Sequence, residues 1–468
     1  MTSTGSAPGG KGHPRGGLFC AIDACLLAAA LASAACGPTG PRSGALPPGL
    51  APDSARIPNP LAVYDELGLI AGDFAFPAVG RVAYLPGPAD STYAIFALSV
   101  SNSALRFRRA DPGFLARYNV RIVVGDRVPP AARLETSERV RVASFRETAR
   151  RDESVVFQGL LVLAPGEYPA TFEVRDPASG NGLSVRRQLS VPGFGPGSVS
   201  APLIVYRAEP RSAREEPPAL IINPRATVHL DDPAPLVYRE ALAADTAVAV
   251  LELLTAGVVT LTSTDTLAGA TPLHAAVDSI DPDYLAPGTV TLRARLPGTE
   301  AADSAVLVVG LAPDWIAADY EGVMGFLRYA GTPDQLDSLR AAPPRERARV
   351  LRTFWKQRDP KPETAANEFF AGYFRRIQDA NNRFANPAGP GWLTDRGAVY
   401  VTLGPPDEVT RHLDTREGPG QSQVWLYEED SLGFELRLVF FDPAGTGDFR
   451  LTSDSHRVFQ EAVRQLYS

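Results

Sequence analysis

The chain has 468 residues, 44% hydrophobic and 21% charged, so it is an ordinary globular composition with room for about two to four domains. A formal net charge of −7 argues against general nucleic-acid binding, which needs a basic face. The only cysteines are Cys20, Cys25 and Cys36, and the five histidines are scattered, so no disulfide framework, metal site or cofactor is expected in the body.

Residues 1–36 read as an export signal. Lys11, His13 and Arg15 supply a basic start, Ala24 to Ala32 a short apolar run, and Ser33-Ala34-Ala35 the small residues before Cys36. The run is too short to span a bilayer, which takes ~20 residues. The ending resembles a bacterial lipobox, which implies lipidation of Cys36 and a membrane anchor. It departs from that pattern in Ser33, where Leu is usual, and in the nearby Asp23. Ordinary cleavage after Ala34 or Ala35 is the alternative. Residues 37–58, rich in Pro, Gly, Ser and Ala, read as a tether.

Residues 59–197 are expected to form a first antiparallel β-sandwich module. Its strands are Tyr93 to Val100, Tyr118 to Val124, Arg139 to Phe145, Val155 to Leu163, Tyr168 to Arg175 and Leu183 to Val191. The turn Pro165-Gly166-Glu167-Tyr168 resembles a hairpin of immunoglobulin-like domains, although a Cys-Trp-Cys framework is missing. Arg106, Arg108 and Arg109 around Phe107 read as a solvated strand face. Residues 198–311 are expected to be a second such module, with strands from Leu203 to Tyr206, Leu220 to Ile222, Ala226 to Leu230, Ala247 to Leu254, Val258 to Thr262, Thr289 to Leu296 and Ala305 to Val309. Leu242 to Leu254 also admits a helical reading.

From about residue 312 the apolar period changes from two to 3.6, so 312–468 is expected to be an α+β domain. Helices are expected over Tyr320 to Tyr329, Pro333 to Arg340 and Arg345 to Trp355. The principal helix runs from Thr364, as N-cap, to Phe384, with Ala366, Phe370, Tyr373, Ile377, Ala380 and Phe384 in one stripe. After Gly391-Trp392-Leu393-Thr394-Asp395-Arg396-Gly397, alternation through Ala398 to Leu403 predicts a strand, stopped by Gly404-Pro405-Pro406-Asp407. A hairpin of Gln423 to Glu428 and Phe434 to Asp442 across Glu429 to Gly433, with Leu436, Leu438 and Phe440 alternating onto one packed face, and a last helix holding Val458 to Leu466 complete the domain.

These residues resemble the GWxTD domain family of bacterial envelope proteins, whose signature is Gly-Trp-x-Thr-Asp. The resemblance extends upstream through Phe354-Trp355, Arg358-Asp359-Pro360, Asn367-Glu368, Tyr373, Arg376 and Asn381, and downstream through Gly404-Pro405-Pro406-Asp407-Glu408. Ala398 departs from it, standing where a basic residue is frequent. The resemblance implies an exported envelope protein and supplies no reaction.

No nucleophile elbow or recognisable triad sequence is present, and Pro405 and Pro406 remove the amide donors that a phosphate loop needs. The remaining catalytic candidates are the carboxylates of Glu368, Asp395, Asp407 and Glu408, which a hydrolase could pair. A structural reading makes Trp392 a core plug with its indole N–H on a carbonyl. In that reading Thr394 and Asp395 accept turn amides, Arg396 pairs with Asp407 or Glu368, and Gly397 supplies a conformation closed to other residues. The favoured reading is a lipid-anchored envelope protein facing the periplasm or cell surface, which binds an envelope protein or cell-wall component or serves structurally. A hydrolase acting through these carboxylates is the competitor. A third reading, carbohydrate binding by the β modules, lacks an obvious aromatic row.

Overall fold

The computed structural model describes residues 59–467, apart from 74, 151–153, 244–246, 268–271, 313–314, 365–366, 387–388 and 414–419. The expected export signal, the tether, Cys36 and Ala366 lie outside the described residues. No described helix is long and apolar enough to cross a membrane.

The β-rich part is built from four sheets, antiparallel throughout except for one parallel pairing. The first runs Ile70–Ala71, Ala78–Pro86, Thr92–Ser101, Ser154–Leu163. The second runs Arg108–Arg109, Phe114–Val124, Gly166–Arg175, Gly182–Val191, with Ala132–Val142 also paired to Phe114–Val124. Val120, Ile122 and Phe172 of the second meet Phe96, Leu98 and Phe157 of the first in one apolar layer. The third sheet runs Leu220–Ile222, Leu203–Ala208, Leu236–Leu242, Leu273–Ser279. The fourth runs Thr227–His229, Ala302–Gly310, Gly288–Arg295, Ala247–Thr255, Val258–Leu267.

The first sheet is covered on its other face by the third, through Leu85, Tyr93 and Ile95 against Leu203, Val205 and Ile222. The third in turn packs on the fourth through Ile204 and Val237 against Leu251 and Leu292. Thr92–Ser101 is therefore buried at every position, because both of its faces are covered. Buried charges cross between these layers. Arg211 binds Glu240 at 2.7 Å and also donates to Pro86 O, while Arg239 reaches Asp265 and Asp278. Of the stretch that also admitted a helical reading, Ala247–Thr255 is a strand, as the strand reading had it.

Helices α1 (Pro60–Glu66) and α2 (Phe145–Thr148) are short additions to the sheets. The C-terminal part follows with α3 (Tyr320–Phe326), α4 (Pro333–Arg340), α5 (Arg347–Lys356) and α6 (Glu368–Phe384). A 3₁₀ turn, Gly391–Leu393, leads into α7 (Asp395–Leu403). The fifth sheet then runs Glu408–Leu413, Gln421–Tyr427, Leu436–Asp442, Arg450–Leu451, all antiparallel, with α8 (Glu429–Leu432) inside its hairpin and α9 (Ser453–Tyr467) at the end. One core joins these helices to the sheet through Trp355, Tyr373, Ile377, Trp392, Trp425, Leu438 and Phe440.

Two expectations are corrected here. Ala398 to Leu403 is the body of α7, not a strand. Val399, Tyr400, Val401 and Thr402 are all buried, so the alternation of residue types marked no exposed face, and the Thr394 cap decides the outcome. The principal helix is capped by Asn367, not Thr364: its side chain accepts from Phe370 N at 2.8 Å.

Candidate functional site

Helix α6 is the support on which the signature sits. Besides capping the helix, Asn367 donates its amide to Trp355 O at 2.8 Å and so fixes α5 to the start of α6. Two turns further, Arg376 donates Nε to Val401 O at 2.7 Å. That carbonyl lies in the last turn of α7, where the helix dipole favours a cation. Burial lowers the Arg376 pKa, yet the neutral acceptor keeps its position. Asn381 accepts from Trp392 N at 3.2 Å through its side-chain oxygen.

The signature glycines serve close approach rather than unusual backbone. Neither Gly391 nor Gly397 has a positive φ, which corrects the conformational role expected for Gly397. A Cβ on Gly391 would stand 2.2 Å from Ala380 O of α6, and one on Gly397 would stand 2.0 Å from Gly391 O. Three backbones thus meet where side chains would otherwise hold them apart. Thr394 stitches the junction, donating to Gly391 O at 2.7 Å and accepting from Gly397 N at 3.1 Å. Gly404, at φ +90°, does adopt the left-handed region and ends α7. Its carbonyl accepts from Tyr427 Oη at 3.1 Å, which ties the turn before Pro405 and Pro406 to the sheet.

Trp392 is fully buried, with Tyr329 edge-on at 6.0 Å and the Arg328 guanidinium 5.0 Å from its ring centre. The expected carbonyl partner of its indole N–H is not there: Nε1 has no acceptor among the described residues, nor have Asn381 Nδ2 and Arg328 Nη2. Burial pushes the Tyr329 hydroxyl up to about 12, with Arg328 opposing and Asp395 adding to that rise. Arg328 and Tyr329 were not singled out from the sequence. A basic–aromatic pair just after a short helix was the available signal.

The four candidate carboxylates are held separately. Asp395 accepts from Leu451 N at 2.7 Å, anchoring α7 to the sheet's last strand. Asp407 accepts from Glu428 N at 2.7 Å and from Ser431 Oγ at 2.6 Å. Those two bonds, the Ser431 hydroxyl first, hold its exposed carboxyl below the usual range. Glu408 accepts from Thr410 Oγ1 at 3.1 Å and Glu368 from Thr364 Oγ1 at 3.0 Å, both exposed. Arg396 pairs with neither Asp407 nor Glu368. It donates to Gly447 O at 2.9 Å and lies 4.3 Å over the Phe449 ring, where burial lowers its pKa. Among the described residues no group of three His, Cys, Asp or Glu is placed to hold a metal ion.

The chemistry available at this junction is therefore hydrogen bonding and packing: the carboxylates accept from backbone amides and hydroxyls, while several buried donors lack acceptors among the described residues. Residues 313–460 match the family model described as the GWxTD domain. No curated protein gives a significant match.

Proposed function

We propose that this GWxTD-domain protein has a binding or structural role in the cell envelope, exported and anchored through a lipid on Cys36. In this reading the β sheets are immunoglobulin-like sandwiches that carry the C-terminal domain away from the membrane. The observation that supports it is the use made of the signature. Gly391, Thr394, Asp395, Arg396 and Gly397 are committed to bonds and contacts that join α6, the 3₁₀ turn, α7 and the sheet. The small residues before Cys36 and the Pro/Gly-rich stretch after it motivate the anchor.

The test separates this role from hydrolysis. Asp395→Asn retains an acceptor for Leu451 N but loses the charge. A charged hydrogen bond contributes roughly 1.5–3 kcal/mol, of which Asn keeps part, so a loss of about 1 kcal/mol is expected. Wild type and variant are assayed side by side on chromogenic esters and glycosides and on peptidoglycan, with no turnover expected from either. Turnover by wild type that vanishes in a stably folded Asp395→Asn would put the hydrolase first.

A further inference from the structure

We propose that the groove between α4 and α5 is a docking site, and that it receives an acidic peptide segment of a protein partner. This rests on the binding reading above and names the surface and the chemistry of what it takes.

The groove is open to solvent, with Leu339 and Phe354 as a buried apolar floor, Gln335 and Gln357 on its walls, and Arg349 and Arg358 as its charges. No carboxylate lines it. The segment that forms one wall is strongly biased: from Arg345 to Arg358 it carries five Arg and one Lys against a single Glu, in a chain whose net charge is −7.

Three of those cations are directed elsewhere. Arg345 donates to Val259 O at 3.1 Å, Arg347 lies 4.4 Å over the Tyr320 ring, and Arg352 faces Asp283 at 3.8 Å. Arg349 is different, since its side chain is 65% exposed and only loosely opposed by Glu346 at 3.7 Å. Arg358 is half-buried and has only neutral acceptors: Ala330 O at 3.2 Å, Phe354 O at 3.0 Å and Gln335 Oε1 at 2.7 Å. None of these acceptors carries a charge, and burial lowers its pKa. A half-buried cation with hydrogen bonds but no counter-charge gains from an incoming anion, because the surrounding low dielectric strengthens that attraction.

Shape selects the occupant. The apolar floor accepts a hydrophobic side chain next to the acid. Gln335 is committed to Thr332, Arg358 and Tyr467, so the exposed Gln357 is the wall residue that offers a donor and an acceptor to a peptide main chain. A bilayer would touch the rim and leave the floor empty.

The experiment selects random peptides displayed on phage against the full chain at low salt, and then measures resynthesised binders on wild type, Arg349→Glu and Gln357→Glu. Both substituted residues are exposed, and thermal unfolding should confirm that both variants fold as wild type does. Selected peptides should be enriched in Asp or Glu beside an apolar residue, and their affinity should fall by about tenfold or more in each variant. Failure to select acidic peptides, or acidic binders indifferent to both substitutions, would overturn the proposal. So would tight, Arg349-dependent binding to phosphatidylglycerol vesicles with no peptide selected. Hydrolytic turnover lost in Asp395→Asn, with peptide selection intact, would overturn the functional reading and leave the groove standing.

Discussion

Gly397→Ala puts one methyl group where the backbone of α7 already touches that of the 3₁₀ turn. The new Cβ would lie 2.0 Å from Gly391 O, 2.7 Å from Trp392 Cα and 2.8 Å from Gly391 C. All three are main-chain atoms, so no side-chain rotation relieves the clash and α7 must move away from the 3₁₀ turn. That movement stretches the Thr394 bonds to Gly391 O and Gly397 N. Overpacking costs about 1–3 kcal/mol and a lost Thr cap about 1 kcal/mol more, while Ala returns about 1 kcal/mol of helix propensity. The expected net loss is about 1–3 kcal/mol by those three terms. Denaturant titration followed by tryptophan fluorescence reads it cleanly. Trp315, Trp355, Trp392 and Trp425 are the chain's four tryptophans, and all lie in the C-terminal core. Gly325→Ala in α3 is the control, since its Cβ would meet nothing within 4 Å. It should be neutral or stabilising by up to about 1 kcal/mol. A Gly397→Ala protein as stable as wild type, or the same shift in both variants, would refute the close-packing argument.

Trp392→Ala should cost about 3–5 kcal/mol in the same titration, as loss of a fully buried aromatic does, and a loss below about 1 kcal/mol would deny its role as core. Asp407 has a folded-state pKa depressed by the Ser431 hydroxyl and the Glu428 amide. Its contribution is therefore present above the ordinary carboxylate range and is lost as pH falls through the depressed value. A carboxyl NMR titration should show a low midpoint that rises in Ser431→Ala; an ordinary midpoint in wild type would contradict the bonding described. Fatty-acid labelling in a bacterial host should mark wild type and not Cys36→Ser, whereas unlabelled wild type beginning at Ala35 or Cys36 would remove the anchor.

Elements with one exposed face were legible in the sequence, because burial there leaves a period. Leu436–Asp442 alternates as the residue types foretold, and α6 buries Phe370, Tyr373, Ile377, Ala380 and Phe384 along the expected stripe. Of the elements closed in on both sides, Thr92–Ser101 was legible from its unbroken β-branched and aromatic run, but those broken by polar residues or glycine were not. Leu236–Leu242 went unread because Arg239 and Glu240, polar by type, are fully buried there through partners distant in sequence: Asp265, Asp278 and Arg211. Ala78–Pro86 was missed too, interrupted by Gly80 and Arg81 in a strand covered on two faces. α7 failed for the same reason in reverse: with every side of Val399 to Thr402 buried, β-branched residues suggested a strand and nothing in the period opposed it.

The signature itself was legible as a place but not as a mechanism of packing, and its spacing now has a physical reading. A glycine opens the sequence because Ala380 O of α6 occupies the space of a Cβ. The next residue points into the core and fills it with an indole. Two residues later Thr394 must sit one position before the helix so that its hydroxyl reaches both Gly391 O and Gly397 N. Asp395 follows in the first turn, where the helix dipole favours an acid and where it can take Leu451 N from the sheet. Gly397 closes the set because the turn that begins the signature lies against it. Each position answers to a different neighbour in three dimensions, while Leu393 between them is half-buried and packs against the edge of the same core.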